Sequence, residues 1–277
     1  MNSPLTYDTL NTLPLWQCMR PITLEEMGSV KLMNRLDTKY VLTEEEAMTL
    51  LNSAAAQDYR IQIIGDIHAA RYSTLYYDTF EREMYINHHN RVLTRQKIRT
   101  RHYADTNDTF LEVKNKSNRG RTIKQRIHIP QSSYADILNC GESIKFLAQH
   151  TKYLLEALTP ALATYFTRIT IVNPNLNERV TLDLNLKYED LRSGRHADIA
   201  GMAILEIKHE RGCSSAIKDI LRTMRINPLK VSKYCLGTAL TVNGIKTNRM
   251  KKKLRTIEKR IGYNRINIYE NIVNVQH

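Results

Sequence analysis

Glycine is scarce in this chain, ten in 277 residues, and no GxGxxG or Walker-type segment appears. A nucleotide would therefore be held through its phosphates and not in a P-loop. Cysteine is scarcer still. Cys18, Cys140, Cys213 and Cys235 are scattered, with no CxxC spacing, which argues against a structural zinc site and fits a reducing compartment. Cys140, Cys213 and Cys235 have no adjacent histidine and read as structural thiols. None of the nine histidines, which include the pair His88–His89, His128 and His209, has a metal-pair spacing on a clear helix or strand. No apolar run approaches the roughly 18 residues of a membrane span. The opening MNSPLTYDTLNTLPLWQC lacks the basic and apolar regions of a signal peptide. These absences imply a soluble, cytoplasmic chain. Internal repeats and low-complexity linkers are absent as well.

What is present is a basic chain with the means to fold. Hydrophobic residues make up 42% of it, and 41 Lys and Arg against 28 Asp and Glu give a net charge of +13. Such a balance points to anionic partners. The segment Asn34–Leu42 reads as a strand. Thr43, followed by Glu44, Glu45 and Glu46, starts a helix running to about Gln57, because a hydroxyl N-cap with Glu at the third helical position forms a capping box. From Arg71 to Ile129 the pattern predicts a meander of RYSTLYYDT, EREMYIN, RVLTRQKIRTRHY, TFLEVKNKS and RTIKQRIHI, divided by turn-prone ADTND and SNRG. Residues 131–158 read as mostly helical. ALATYFTRITIVN, RVTLDLNLKY and AILEIKHE read as further strands, and 214–225 and 232–241 as helices. The fold class is α+β, dominated by antiparallel strands.

Alternation is the strongest signal. Arg95, Lys97, Arg99 and Arg101 occupy every second position, so a strand turns all four to one face. Like charges crowded on one face destabilise a sheet unless something offsets them. Glu112, Lys114 and Lys116 repeat the pattern, as do Lys124, Arg126 and His128, then Arg168, then Asp183 and Lys187, then Glu206 and Lys208. Two geometries fit. An open sheet buries its apolar face and wets the charged one; a closed sheet packs helices outside and lines a lumen with charge. The predominance of one sign, together with arginines whose planar fork suits phosphate oxygens, favours the lumen. The tyrosines Tyr72, Tyr76, Tyr77 and Tyr85 mostly lie apart from the cation runs in sequence. Nucleic acid is therefore not an expected partner, since it asks for interleaved aromatics.

The ordered set NRLDTKY, YYDT, KIRTR, EVK, TIKQR, Arg168, DLN, ILEIK and VSKY resembles the VTC-type polyphosphate polymerase domain, a branch of the CYTH-like triphosphate tunnel metalloenzymes. The resemblance implies an antiparallel β-barrel, a tunnel with surrounding helices. It also implies a phosphotransferase that moves the γ-phosphate of ATP to a growing polyphosphate chain with Mn²⁺ or Mg²⁺. On that basis Lys39, Arg99, Arg101, Lys114, Lys124, Arg126, Arg168, Lys208, Ser232 and Lys233 contact phosphate. Lys233, with Arg99 and Arg101, assists the transfer, and Glu206 holds the metal. Glu112 and Asp183 are further ligands or, by the preferred reading, partners of neighbouring cations. Arg95 and Lys97 are left as mouth or rim charges.

Hydrolytic relatives open with ExExK, whereas this chain has RLDTK with one acid, Asp37. That departure favours a polymerase over a triphosphatase; a non-catalytic polyphosphate binder is the alternative of a different class. The implied organisation is an N-terminal extension over 1–30, the tunnel domain over 31–244 and a basic tail over 245–277. Three readings of the tail stay open, in order: a solvated helix, an anchor to the inner face of the membrane, or an entry guide for polyphosphate. A separate membrane protein is the expected partner for handling product.

Overall fold

The computed structural model describes residues 5–28, 35–119 and 121–270. The strands are β1 (Pro21–Ile22), β2 (Arg35–Thr43), β3 (Arg60–Gln62), β4 (Ala69–Asp78), β5 (Arg95–Tyr103), β6 (Asp108–Lys116), β7 (Thr122–His128), β8 (Thr159–Val172), β9 (Glu178–Asp190), β10 (Arg195–Ile199), β11 (Met202–Glu210) and β12 (Ile266–Glu270). The helices are α1 (Tyr7–Asn11), α2 (Leu24–Met27), α3 (Glu44–Ala55), α4 (Glu83–His89), α5 (Gly141–His150), α6 (Ala216–Thr223), α7 (Lys233–Thr241) and α8 (Asn248–Ile261).

All twelve strands join one sheet. Its main path runs β7-β6-β5-β4-β8-β9-β11-β2, antiparallel throughout. β10 and β12 extend from β9, and β3 with β1 from β8. The expected α+β tunnel is the observed architecture, with one difference. Among the described residues no backbone pairing joins β7 to β2, so the sheet curls into a tunnel-like trough and does not close as a ladder.

Alternation builds the two faces as the sequence suggests. On the convex side Leu42, Ile169, Leu182, Leu205 and Ile207 pack against Leu50 and Leu51 of α3 and Ile217 and Leu221 of α6. Leu75, Ile98, Leu111 and Val113 pack against Phe146 and Leu147 of α5. Both halves of the α3 capping box are made: Thr43 Oγ1 accepts from Glu46 N–H, and Glu46 returns the bond to Thr43 N–H. The stretch 5–28 is built into the same core through Leu10, Trp16 and Met19.

The expectation of a strand at EREMYIN is wrong: Glu83–His89 is α4. The cause lies just upstream of the segment. Asp78, at the end of β4, turns its carboxylate onto the N–H groups of Met84 and Tyr85 and so satisfies the first-turn donors that a helix leaves open. The same carboxylate accepts the Tyr234 hydroxyl of α7, tying the two helices together. Tyr85 then donates to the Lys246 carbonyl at 2.9 Å, and His89 bonds Asn248 at 2.6 Å, which fixes α8 beside α4. No helix among the described residues is long and apolar enough to cross a membrane.

α7 enters the concave side and packs on β8, β9 and β10. Gly237 allows the approach, since a Cβ there would lie 2.4 Å from the Tyr188 ring and 2.8 Å from Leu162. This close packing puts the first residue of α7, Lys233, over the strand carrying Asp183.

Candidate active site

The arm made of β5, β6 and β7 carries a nearly one-signed cage. Register sets Arg99 opposite Glu112, but also Arg95 opposite Lys116, Lys97 opposite Lys114, and Lys114 opposite Lys124. Three directly facing like-charge pairs are a destabilising arrangement in an empty protein. Glu112, fully buried, is the acid that holds it together. It accepts from Arg99 Nε at 2.7 Å and Nη2 at 2.5 Å, and pairs with Lys124. Burial alone would raise the Glu112 pKa; Arg99, Arg101 and Lys124 outweigh it and hold the carboxyl far below the usual range.

Lys114 forms no ion pair or hydrogen bond among the described residues. Arg99, then burial, then Arg101 push its pKa well down. Lys124 falls to about 8, mainly through burial. Arg101 donates to Thr74 at 3.2 Å and lies over the Tyr72 ring at 5.5 Å.

The other arm is more evenly paired. Arg168 clamps Asp183 through Nε at 2.5 Å and Nη2 at 2.8 Å, and Lys233 reaches the same carboxylate from α7. Burial lowers the Lys233 pKa to about 7, and Arg168 and Lys39 add to the effect. Glu206 of β11 accepts from Lys39 of β2 at 2.7 Å and also pairs with Lys208. Burial brings Lys208 to about 8. Tyr72 bridges the arms, with Arg101 on it and Arg168 at 4.9 Å from its ring.

The expected residues thus gather in two adjoining groups: Arg99, Arg101, Lys114 and Lys124, and Lys39, Arg168, Lys208 and Lys233. Eight cations face three buried or half-buried acids, Glu112, Asp183 and Glu206. Ser232 caps α7 by accepting from Cys235 N–H, and also accepts from Lys97 at 2.9 Å. Arg126 stands apart from the cage: it is exposed and lies 4.5 Å from the Phe110 ring, towards the end of β7. Glu112 and Asp183 are ion-pair partners, as preferred from the sequence.

Two expectations change. Tyr72 and Tyr76 do meet the cations, because β4 lies beside β5 and sets Tyr76 opposite Arg99. They are filled positions and not open stacking platforms: Tyr72 stacks on Phe166 at 5.2 Å, and Tyr76 on Tyr234 at 4.8 Å. Alternation within one strand cannot reveal such a neighbour; the pairing of YYDT with KIRTR could have.

The metal expectation fares differently. A hard divalent cation takes six or more oxygen ligands. Here Glu206 is engaged by two ammonium groups, and among the described residues no three His, Cys, Asp or Glu side chains converge where an ion could sit. Glu206 is the one carboxylate expected to hold such an ion, and bound phosphate oxygens and water would complete its shell.

The VTC domain family matches residues 34–242, well over half of the chain. This chain belongs to the VTC domain family. Membership ties it to polyphosphate or triphosphate chemistry. Solved structures of similar fold include an adenylyl cyclase candidate from Hippeastrum described as having a dominant triphosphatase activity, at 15% identity and a TM-score of 0.45 over 76% of this chain and 98% of that one. Another is an adenylate cyclase candidate from Vibrio parahaemolyticus, at 13% identity and a TM-score of 0.42 over 73% of this chain and 97% of that one. A protein from Pyrococcus horikoshii matches at 14% identity and a TM-score of 0.41 over 74% and 98%. No curated protein matches the sequence.

Proposed function

We propose that this VTC domain protein is a polyphosphate polymerase that transfers the γ-phosphate of ATP to a growing phosphate chain. The observation that carries the reading is Lys114, a half-buried cation with no acid of its own, set between the like charges Lys97 and Lys124. A bound phosphate chain supplies the missing negative charge along the whole stripe. Phosphoryl transfer asks the protein mainly for positioning and charge neutralisation, and fixed guanidinium forks are suited to both.

In this proposal Arg99 and Arg101 grip the terminal phosphates, and Lys114 and Lys124 neutralise the next. Arg168, held in plane by Asp183, fixes the transferring group from the other arm. Lys39 and Lys208 would take up phosphate oxygens by sharing their hold on Glu206. Lys233, at the first position of α7, meets the charge that builds on the bridging oxygen as the bond to the leaving group lengthens. The scarcity of unpaired carboxylates among the described residues supports transfer over hydrolysis.

The test is to incubate the purified protein with ATP and Mn²⁺ or Mg²⁺ and resolve products on a gel. Polyphosphate that lengthens with time is expected. Orthophosphate released from triphosphate with no chain growth would select a triphosphatase, and binding without any turnover a polyphosphate-binding protein.

A further inference from the structure

A second group of cations gathers beyond the cage, at the Arg95 end of the trough. Arg95 and Lys116 face each other across β5 and β6. Lys253 of α8 donates to the Lys230 carbonyl at 2.7 Å and so draws α8 onto the segment before α7. Arg91 follows α4 in the left-handed conformation at φ 63°, and its charge acts on Lys253. Burial and then Arg95 and Lys230 lower Lys116; burial, and then Lys97, Arg95, Lys253 and Lys116, push His88 down to about 2.

These cations arrive from separate segments, and none of Arg91, Arg95, Lys116, Lys230 and Lys253 forms an ion pair among the described residues. A solvated basic helix spreads its charges into water; here Arg95, Lys116 and Lys253 are half-buried, and the charge of Lys230 acts on both Lys116 and Lys253.

The group is continuous with the cage. Arg95, Lys97, Arg99 and Arg101 share one face of β5, a stripe about 20 Å long at the usual strand rise, and Lys97 reaches Ser232 beside Lys233. That stripe is longer than a triphosphate. Lys253 also comes from α8, outside the residues matched by the family, so the site is not a property of the matched domain alone.

We propose that Arg91, Arg95, Lys116, Lys230 and Lys253 form a second anion subsite that receives the far end of a phosphate chain longer than triphosphate. The inference rests on the reading that the cage holds phosphate. It makes affinity depend on chain length, and it gives the basic tail the role of a chain-holding wall.

The test uses the full chain and two probes, tripolyphosphate and a long-chain polyphosphate, titrated at fixed salt. In a variant carrying Lys116→Gln, Lys230→Gln and Lys253→Gln, long-chain affinity should fall about tenfold or more while tripolyphosphate affinity stays within about twofold, since each pair contributes modestly and only the long chain spans both sites. Retained tripolyphosphate binding also shows that the variant folds. Unchanged long-chain affinity, with tripolyphosphate still bound, would overturn the subsite and leave the cage reading intact. A parent protein that binds neither probe would remove the cage reading, and the subsite with it. Anionic vesicles that bind the parent but not the variant, with long-chain affinity unaltered, would reassign the cluster to lipid headgroups.

Discussion

Arg99→Ala should reduce polyphosphate synthesis about 10²–10³-fold in kcat/KM, the usual consequence of removing a preorganised donor aimed at transition-state charge. The loss is not one of net charge alone. Arg99 is also the largest influence depressing Lys114, so its removal relieves a repulsion as well as removing a charge. What disappears is a planar fork locked by Glu112 through two bonds at 2.5–2.7 Å. Arg99→Lys should therefore rescue only a minor part of the activity, because an ammonium cannot supply two parallel N–H donors. Glu112 keeps Lys124 as a partner in both variants, so thermal unfolding should remain cooperative. Steady-state rates with ATP, alongside an unfolding curve for each variant, check this. Activity within about threefold of the parent in a folded Arg99→Ala protein, well short of the loss expected for such a donor, would remove the tunnel assignment.

Lys233 governs the second large effect, and its sign follows from where the lysine titrates. Burial leaves its pKa at about 7 in the empty protein, so the ammonium that the transfer requires is lost as pH rises through that value. The free-enzyme profile, kcat/KM against pH, should fall on its alkaline side from about pH 7. Lys233→Arg keeps the charge at all working pH values, and its alkaline limb should move up to about 8, where Lys124 and Lys208 lose their protons. Lys233→Met should lower kcat by about 10²-fold or more wherever the parent lysine is charged, and the gap should narrow as pH rises. An unmoved limb in Lys233→Arg would assign the titration to another group. The same depressed pKa affects folding. A lysine whose folded value lies below its unfolded value binds fewer protons when folded, so stability rises between about pH 7 and 10.5.

Much of this architecture was legible in the sequence, for a physical reason. A curled sheet with helices outside and charge within writes its two faces into alternate residues, so NRLDTKYVL, RQKIRTR, TFLEVK and ILEIK announce both strand and lumen. Asp37 is flagged by the same motif and lies on β2 across from Lys208. What escaped depends on partners outside the segment that carries the pattern. Asp78 turns EREMYIN into a helix from six residues upstream, and no period within that segment records it. Tyr72 and Tyr76 join the cations only because β4 pairs with β5. Glu206 pairs with Lys208 two residues along its own strand, as parity allows, but its second partner Lys39 is set opposite it only by the register of β2 with β11. Arg126 shares the parity of Lys124 but lies over Phe110, because parity fixes a face and not a depth.

A cation cage built for a phosphate chain is stabilised by that ligand. In EDTA, tripolyphosphate at about a hundred times its dissociation constant should stabilise the folded protein by about 2.7 kcal/mol, a rise in Tm of roughly 5–10 °C for a chain of this size. The rise should persist without added metal, since the cage neutralises phosphate with its own lysines and arginines, and it should vanish in Arg99→Ala with Lys114→Ala. A Tm that moves no more with tripolyphosphate than with sodium chloride of equal ionic strength would mean that the cage does not hold a phosphate chain.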